Sequence, residues 1–241
     1  MRYGVVSDIH GNLEALKAVL GECRKLNVDS LLCCGDIAGY GADPKECLGL
    51  VRKLKAVAVA GNHDWAVSGK LDFSYFTPDG QAAVVWTRSH LAIEDIFYLN
   101  NLPLSLKNKD CTLVHGTLLN PQQFVYLTNE TQAADTFALM DTQVCFVGHT
   151  HVPKVFIERE GNICQSDILD IELNAKYKYI VNLGSVGQPR DGNPLAGFCI
   201  YDTALRMIEN HRVLYDINKA QQKILDTNLP ETLALRLTRG E

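Results

Sequence analysis

Short apolar runs that end in a polar residue recur along the chain. Tyr3-Gly-Val-Val-Ser-Asp8, Leu31-Leu-Cys-Cys-Gly-Asp36, Ala56-Val-Ala-Val-Ala-Gly-Asn62, Cys111-Thr-Leu-Val-His115 and Val144-Cys-Phe-Val-Gly-His149 share this layout. Continuous apolar runs bounded by turn residues read as buried strands. Between the first two, Asn12 to Leu26 carries Leu13, Leu16, Val19, Leu20 and Leu26 at helical spacing. A second helix opens at Pro44, with Asp43 as its N-cap, and presents Cys47, Leu48, Val51 and Leu54. The order β-α-β-α-β predicts a mainly parallel opening sheet. In such folds the active site lies at the carboxyl ends of the strands, where these runs deliver Asp, Asn and His. One run of this kind means little; five with one layout point to a single polynuclear metal site.

The pattern then changes. Residues 78–100 read as one helix entered by Pro78, Asp79 and Gly80, and Leu104–Leu106 and Thr112–Val114 flank a hairpin turn at Lys107-Asn-Lys-Asp110. Beyond a helix near Thr131–Met140, strands are predicted at 144–147, 153–158, 163–172, 178–183, 197–201 and 206–214. Glu160-Gly161-Asn162 and Asp191-Gly192-Asn193 supply turns among them. A helical tail from Asn218 to Arg239, interrupted at Pro230, closes the chain. No linker or repeat divides it, so residues 1–241 are expected to form a single α/β (α+β) domain with a C-terminal helical segment near 216–241. Its parallel half and more antiparallel half would stack as two sheets.

Composition narrows the class of partner. The 241 residues can bury a sizeable core, and 46% hydrophobic with 21% charged residues is ordinary for a globular protein. No apolar run approaches membrane-spanning length, and Asp8 interrupts the only candidate signal segment. A cytoplasmic location without a membrane partner is the expectation. The net charge of -5 argues against a broad basic surface for duplex nucleic acid, although bound divalent cations could still favour an anionic substrate. The eight cysteines include no C-x-x-C pair and read as buried reduced thiols.

Each polar fragment has a bland reading when taken alone. Gly35-Asp36 is a common turn, Asn62 or Asp64 can cap a helix, and a lone His115 is usually structural. Asp8-x-His10 and His149-Thr-His151 are stronger, because residues two apart on extended backbone share a side and can share an ion. Five of the seven histidines (His10, His63, His115, His149 and His151) fall at strand ends, leaving only His90 and His211 elsewhere.

The ordered set Asp8-x-His10, Gly35-Asp36, Gly61-Asn62-His63-Asp64, His115 and Gly148-His149-Thr-His151 resembles the calcineurin-like metallophosphoesterase superfamily. It is most similar to the compact bacterial and archaeal branch of small phosphodiesterases and diadenosine-tetraphosphatase-like proteins. Gly39-Tyr-Gly-Ala-Asp-Pro44, the stretch from His115 to Pro121, Pro153, Asn182 to Arg190, and the tail with Leu229-Pro-Glu and Arg236-Leu237 extend the likeness over nearly the whole chain. The resemblance implies two stacked mixed β-sheets flanked by helices, a four-layer αββα sandwich. It implies two divalent transition-metal ions, with Asp8, His10 and His151 on one, Asn62, His115 and His149 on the other, and Asp36 bridging both. Nitrogen and oxygen donors together favour Mn, Fe, Co, Ni or Zn. A metal-bridging hydroxide would attack phosphorus in a phosphodiester or phosphomonoester.

His63, beside a ligand but outside the implied set, is the candidate proton donor, with Asp64 to orient it and favour its imidazolium form. Arg190, Asn12 and Tyr40 are candidate substrate contacts, with Asn120 a weaker one; the alternatives are a plain hairpin residue for Arg190 and a cap of its own helix for Asn12. The substrate class stays open among small phosphoesters, dinucleoside polyphosphates and phosphoproteins. The tail helix is open to packing on its own domain or on a second subunit in a homo-oligomer. The competing readings are a nucleotide-binding α/β protein, for which neither G-x-G-x-x-G nor Walker A is present, and a non-catalytic metal-binding scaffold.

Overall fold

In the computed structural model, residues 1–167 and 170–241 are described. The first half runs β1 (Arg2–Val6), α1 (Leu13–Lys25), β2 (Ser30–Cys33), α2 (Pro44–Lys53), β3 (Val57–Ala58), α3 (Asn62–Ser68), α4 (Pro78–His90) and α5 (Ile93–Asn100). A hairpin of β4 (Ser105–Lys107) and β5 (Thr112–Val114) follows, then a 3-10 turn (Pro121–Gln123), α6 (Glu130–Leu139) and β6 (Val144–Val147). The remaining strands are β7 (Lys154–Arg159), β8 (Asn162–Ser166), β9 (Ile171–Glu172), β10 (Lys178–Asn182), β11 (Ala196–Asp202) and β12 (Met207–Val213). The tail forms α7 (Ile217–Leu225), α8 (Glu231–Leu235) and a 3-10 turn (Arg236–Thr238).

The strands make two six-stranded sheets, ordered β3-β2-β1-β11-β12-β9 and β4-β5-β6-β10-β7-β8. The expected division of the chain into a parallel half and an antiparallel half is not what is found. Each sheet is mixed: β1, β2 and β3 are parallel in one, β5, β6 and β10 in the other, and antiparallel strands complete both. The late strands β11 and β12 pair beside β1, at the middle of the first sheet.

Alternation along the strands builds three layers of core. Val5 and Cys34 face the second sheet and meet Phe146, Val155 and Val181. Val6 and Cys33 face the other way, beneath the helices of the first sheet with Leu16, Leu48, Leu99 and Leu233. On the outer face of the second sheet, Cys145, Val147 and Ile180 pack with Phe137 of α6. This is the expected αββα sandwich, and it places the carboxyl ends of β1, β2 and β3 against those of β5 and β6. Helices α7 and α8 pack on their own domain against this first helical layer.

Three sequence expectations change in detail. The helix predicted over 78–100 is two helices: Leu91 and Ala92 are extended, and Asp95 returns its carboxylate to the Ala92 amide at 3.3 Å to start α5. Helix α3, unforeseen, begins at Asn62 itself. The strand predicted over 163–172 is represented by β8 and β9, and its residues 168–169 lie outside the described ones. Among the described residues no helix is long and apolar enough to cross a membrane. Seven of the eight cysteines are buried, all without disulfide partners.

Phe146 is fully buried between the sheets. Phe146→Ala should therefore lower unfolding stability by about 3–5 kcal/mol, read from the midpoint of urea denaturation.

Candidate metal centre

The loops that leave β1 and β2 continue side by side past the strand ends. Asp8 N–H donates to Gly35 O at 3.0 Å, His10 N–H to Asp36 O at 2.9 Å and Gly11 N–H to Ile37 O at 3.0 Å. From the second sheet, Gly148 N–H donates to His115 O at 3.0 Å, and His149 N–H reaches the Asp8 carboxylate at 3.1 Å. That last contact crosses between the sheets and requires a glycine beside it. A Cβ on Gly148 would stand 1.9 Å from Ser7 Oγ and 2.6 Å from Asp8 Oδ2.

Asp8, His10, Asp36, His149 and His151 all have positive φ, between 48° and 70°. Left-handed backbone at a non-glycine residue costs of order 1–3 kcal/mol, and such residues concentrate at functional sites. Here the conformation turns side chains at the strand ends into one buried cluster. Three groups of donors have their ligand atoms within 4.8 Å of one another: Asp8, His10 and His151; Asp36, His115 and His149; and His10, Asp36 and His63. Asn62 joins the second group, with its Oδ1 3.2 Å from His115 Nε2.

The hydrogen bonds around the cluster set its chemistry. His10, His115 and His151 each turn Nδ1 to a main-chain carbonyl: Ala38 O at 3.2 Å, Cys34 O at 2.7 Å and Gln188 O at 2.6 Å. A carbonyl only accepts, so Nδ1 carries a proton in all three, and in the neutral ring the Nε2 lone pair faces inward. His10 Nε2 and His151 Nε2 then stand 3.1 Å apart with no donor between them, an arrangement that a cation or a proton must relieve. Asp36 behaves similarly. Its Oδ1 accepts the His63 amide at 2.8 Å, while Oδ2 is buried without a hydrogen-bond partner, 3.5 Å from His10 Nε2 and 3.3 Å from His115 Nε2. The residues thus fit divalent ions with mixed nitrogen and oxygen ligands.

Burial works against charge throughout the cluster. It opposes ionisation of Asp8 and Asp36, yet attraction to His151 and His115 respectively holds both carboxyls well below the usual range. Burial lowers His10 and His151 despite the opposing pull of Asp36 and Asp8. It pushes His63 down to about 4 and, with His115 adding to it, His149 down to about 3. His115 runs the other way: burial would lower it, but Asp36 and Asp8 push it up to about 9.

The match to known proteins follows this geometry. A family model described as the calcineurin-like phosphoesterase superfamily domain covers residues 1–205. The chain belongs to the calcineurin-like phosphoesterase superfamily. It is 42% identical over 240 residues to an uncharacterized protein of Methanocaldococcus jannaschii, spanning 98% of this chain and 97% of that one. A metallophosphoesterase from Sphaerobacter thermophilus superposes with a TM-score of 0.86 at 39% identity, covering 100% of this chain and 99% of the other. A hypothetical protein from Pyrococcus horikoshii shares the fold, with a TM-score of 0.83 at 21% identity over 100% of this chain and 98% of that one.

In this calcineurin-like phosphoesterase the donors open onto a cleft of about 320 Å³. Tyr40 and Arg190 line it, as do His63, His149 and His151. Asn12 takes the capping alternative: its Oδ1 accepts from Ala15 N at 3.1 Å and its Nδ2 donates to Gly187 O at 2.9 Å, so it caps α1 and ties it to the loop before Arg190. Asn120 is an exposed left-handed residue ahead of the 3-10 turn.

Asp64 likewise takes the capping alternative. Its Oδ1 accepts Ile37 N and Ala38 N at 3.0 Å each and its Oδ2 accepts Gly61 N at 3.1 Å, and it makes no hydrogen bond to His63. At the third position of α3 its side chain folds back over the helix's own N-terminus, away from the neighbouring ring. Burial and the Asp36 charge push its carboxyl up to about 7, against amides that favour the ion.

Sequence reasoning missed several cleft residues. Tyr126 stacks on His149, with ring centroids 3.9 Å apart and planes 5° from parallel, and Phe76, Phe124 and Arg236 complete the walls. Their segments are irregular or terminal, where no periodicity tells which side chain turns inward.

Asp36 and Asp8 keep a proton on His115 Nε2 below about pH 9, so a divalent ion binding there would displace it, and affinity should rise with pH up to that point and flatten above it. Calorimetric titration with Mn²⁺ or Zn²⁺ at neutral pH, in buffers of different ionisation enthalpy, should show net proton release. Release of no protons would contradict this account of His115.

Proposed function

We propose that the protein is a dinuclear-metal-dependent phosphoesterase acting on small phosphodiesters or phosphomonoesters. The observation that carries this reading is the buried, unpartnered Asp36 Oδ2, set between a histidine of one donor group and a histidine of the other. A carboxylate oxygen in that position suits a bridge between two cations. Asp8, His10 and His151 would hold one ion; Asn62, His115 and His149 the other. When bound, such a pair supplies Lewis acidity toward a phosphoryl oxygen and activates water near neutral pH.

The chain's own groups have separate tasks. Backbone carbonyls fix the rings of His10, His115 and His151, so the donor nitrogens need little reorganisation. Tyr126 fixes the plane of His149 from the solvent side. His63 is left facing the cleft, with its ring 4.4 Å from Tyr40 and 5.0 Å from Phe76 and with Nδ1 buried and unpartnered. Its pKa of about 4 makes it neutral before substrate binds. An anionic phosphoryl group beside it favours the imidazolium, so the substrate's own charge, rather than Asp64, would prepare His63 to protonate the leaving oxygen. The aromatic-walled cleft of about 320 Å³ supports a small phosphoester or nucleotide over a phosphoprotein.

The purified protein should hydrolyse bis(p-nitrophenyl) phosphate when loaded with Mn; inertness with every divalent metal would end the hydrolase reading. Asp36→Ala should lose both ions by elemental analysis and all measurable turnover. A variant that keeps two ions per chain would remove Asp36 as the bridge.

His63→Ala should keep wild-type metal content while turnover falls about 10²–10⁴-fold. Loss of an ion from that variant would instead make His63 a ligand, as its grouping with His10 and Asp36 permits.

A further inference from the structure

Gln188 is 1% exposed and lies in the loop between β10 and β11, against the donor cluster. Its main-chain oxygen accepts from His151 Nδ1 at 2.6 Å, and its own amide N–H donates to Ser185 Oγ at 2.8 Å. Ser185 in turn donates its hydroxyl to Asp8 O at 2.8 Å. Gly187 N–H also reaches Asp8 O, at 2.9 Å, and a Cβ on Gly187 would stand 1.9 Å from Ile9 O. The backbone of Gln188 is thus pinned to the segments that carry two of the donors, Asp8 and His151.

The side chain of Gln188 is turned to Arg190, which lines the cleft together with Asp36, His63, His149 and His151. Gln188 Oε1 accepts from Arg190 Nη2 at 2.8 Å and from Arg190 Nε at 3.3 Å. Arg190 N–H donates to His151 O at 3.3 Å, so the arginine is held by main chain and side chain alike. Its guanidinium carbon lies 5.8 Å from the centre of the Tyr40 ring. The adjacent carboxylate, Asp191, pairs with Arg212 instead.

An amide is the weaker choice for holding a guanidinium. A carboxylate would take Nε and Nη2 on separate oxygens, fork to fork, and leave no donor over. The amide takes both on one oxygen, and its Nε2 is buried without a hydrogen-bond partner among the described residues. A buried donor left unpaired costs about 1–3 kcal/mol. What the amide preserves is charge: it orients the guanidinium without neutralising it. A local choice that lowers stability beside a functional centre points to the chemistry of that centre.

We propose that Gln188 is a positioning residue, which fixes Arg190 in the cleft while leaving its positive charge free for an oxygen of the phosphoryl group bound there. The inference rests on the phosphoesterase reading, which places that phosphoryl group at the metal donors.

Calorimetric binding of inorganic phosphate to the Mn-loaded protein, with kcat and KM for bis(p-nitrophenyl) phosphate, tests the assignment. Gln188→Glu keeps the acceptor but neutralises the guanidinium. Phosphate binding should weaken about 10- to 100-fold and KM rise in parallel, with kcat within about threefold and manganese content unchanged. Gln188→Met removes the acceptor without adding charge and should lose less. A residue that only held Arg190 in place would give the reverse order, with Glu near wild type and Met the weaker, and that order would overturn the proposal. In an Arg190→Met background, Gln188→Met should change phosphate affinity by less than about twofold. A larger loss there would place the action of Gln188 elsewhere and equally overturn it; this pair decides the matter if the Glu variant loses manganese. Phosphate binding in the expected order by a protein that hydrolyses no phosphoester would refute the hydrolase reading alone. An active hydrolase whose Gln188→Glu variant binds phosphate like wild type would refute the role of Gln188 alone.

Discussion

The whole arrangement depends on burying two ionised carboxylates, Asp8 and Asp36, at the seam where two sheets meet. An isolated carboxylate inside a protein is strongly disfavoured unless it is paired or bound to metal. Each of these has an imidazole beside it and at least one main-chain amide on its oxygens. The His149 amide is available because β6 has ended and the chain turns left-handed there, and the His63 amide because it lies in the first turn of α3, where N–H groups have no partner within the helix. The sandwich thus supplies a low-dielectric pocket, and its strand termini supply the dipoles that make charge tolerable inside it.

The glycines of the motifs follow from the same constraint. A Cβ on Gly61 would lie 2.0 Å from Asp36 Oδ1, and one on Gly148 would displace Ser7 and Asp8. These residues hold open the space that charged side chains occupy. Asp64 belongs with them: by taking amides from the loop after Asp36 and from Gly61, it locks two strand ends together. Its place next to His63 in the sequence suggested catalytic partnership, but the helix geometry gives it a scaffolding task.

Much of this was legible in the chain because buried strands write continuous apolar runs, and their termini coincide with the donor residues. The parallel opening and the strand-end placement of the donors came from that signal, and the tail break from Pro230. What the runs do not encode is which sheet each strand joins. β11 pairs with β1 across nearly the whole sequence, and that choice rests on long-range packing rather than on local pattern. The split at Leu91–Ala92 was hidden because helical periodicity persists across a single turn whose cap is an Asp three residues on. Cleft walls such as Phe76 and Tyr126 sit in segments without a period, and Arg236 in a tail read only as helical, so their inward orientation emerges only once the rest is folded.

The contact between His149 and Asp8 joins residues 141 apart in sequence and belongs to different sheets. Closing a loop of that length is slow, and its entropy cost must be met before the contacts it makes can compensate. A chain with only its first sheet formed would present Asp8, His10 and Asp36 but lack His115, His149 and His151, an incomplete chelate of low affinity. Tight metal capture would then occur only after the two sheets dock, and the bound ions would slow their separation. The same residues that organise the centre would make ion retention a kinetic checkpoint on completed folding.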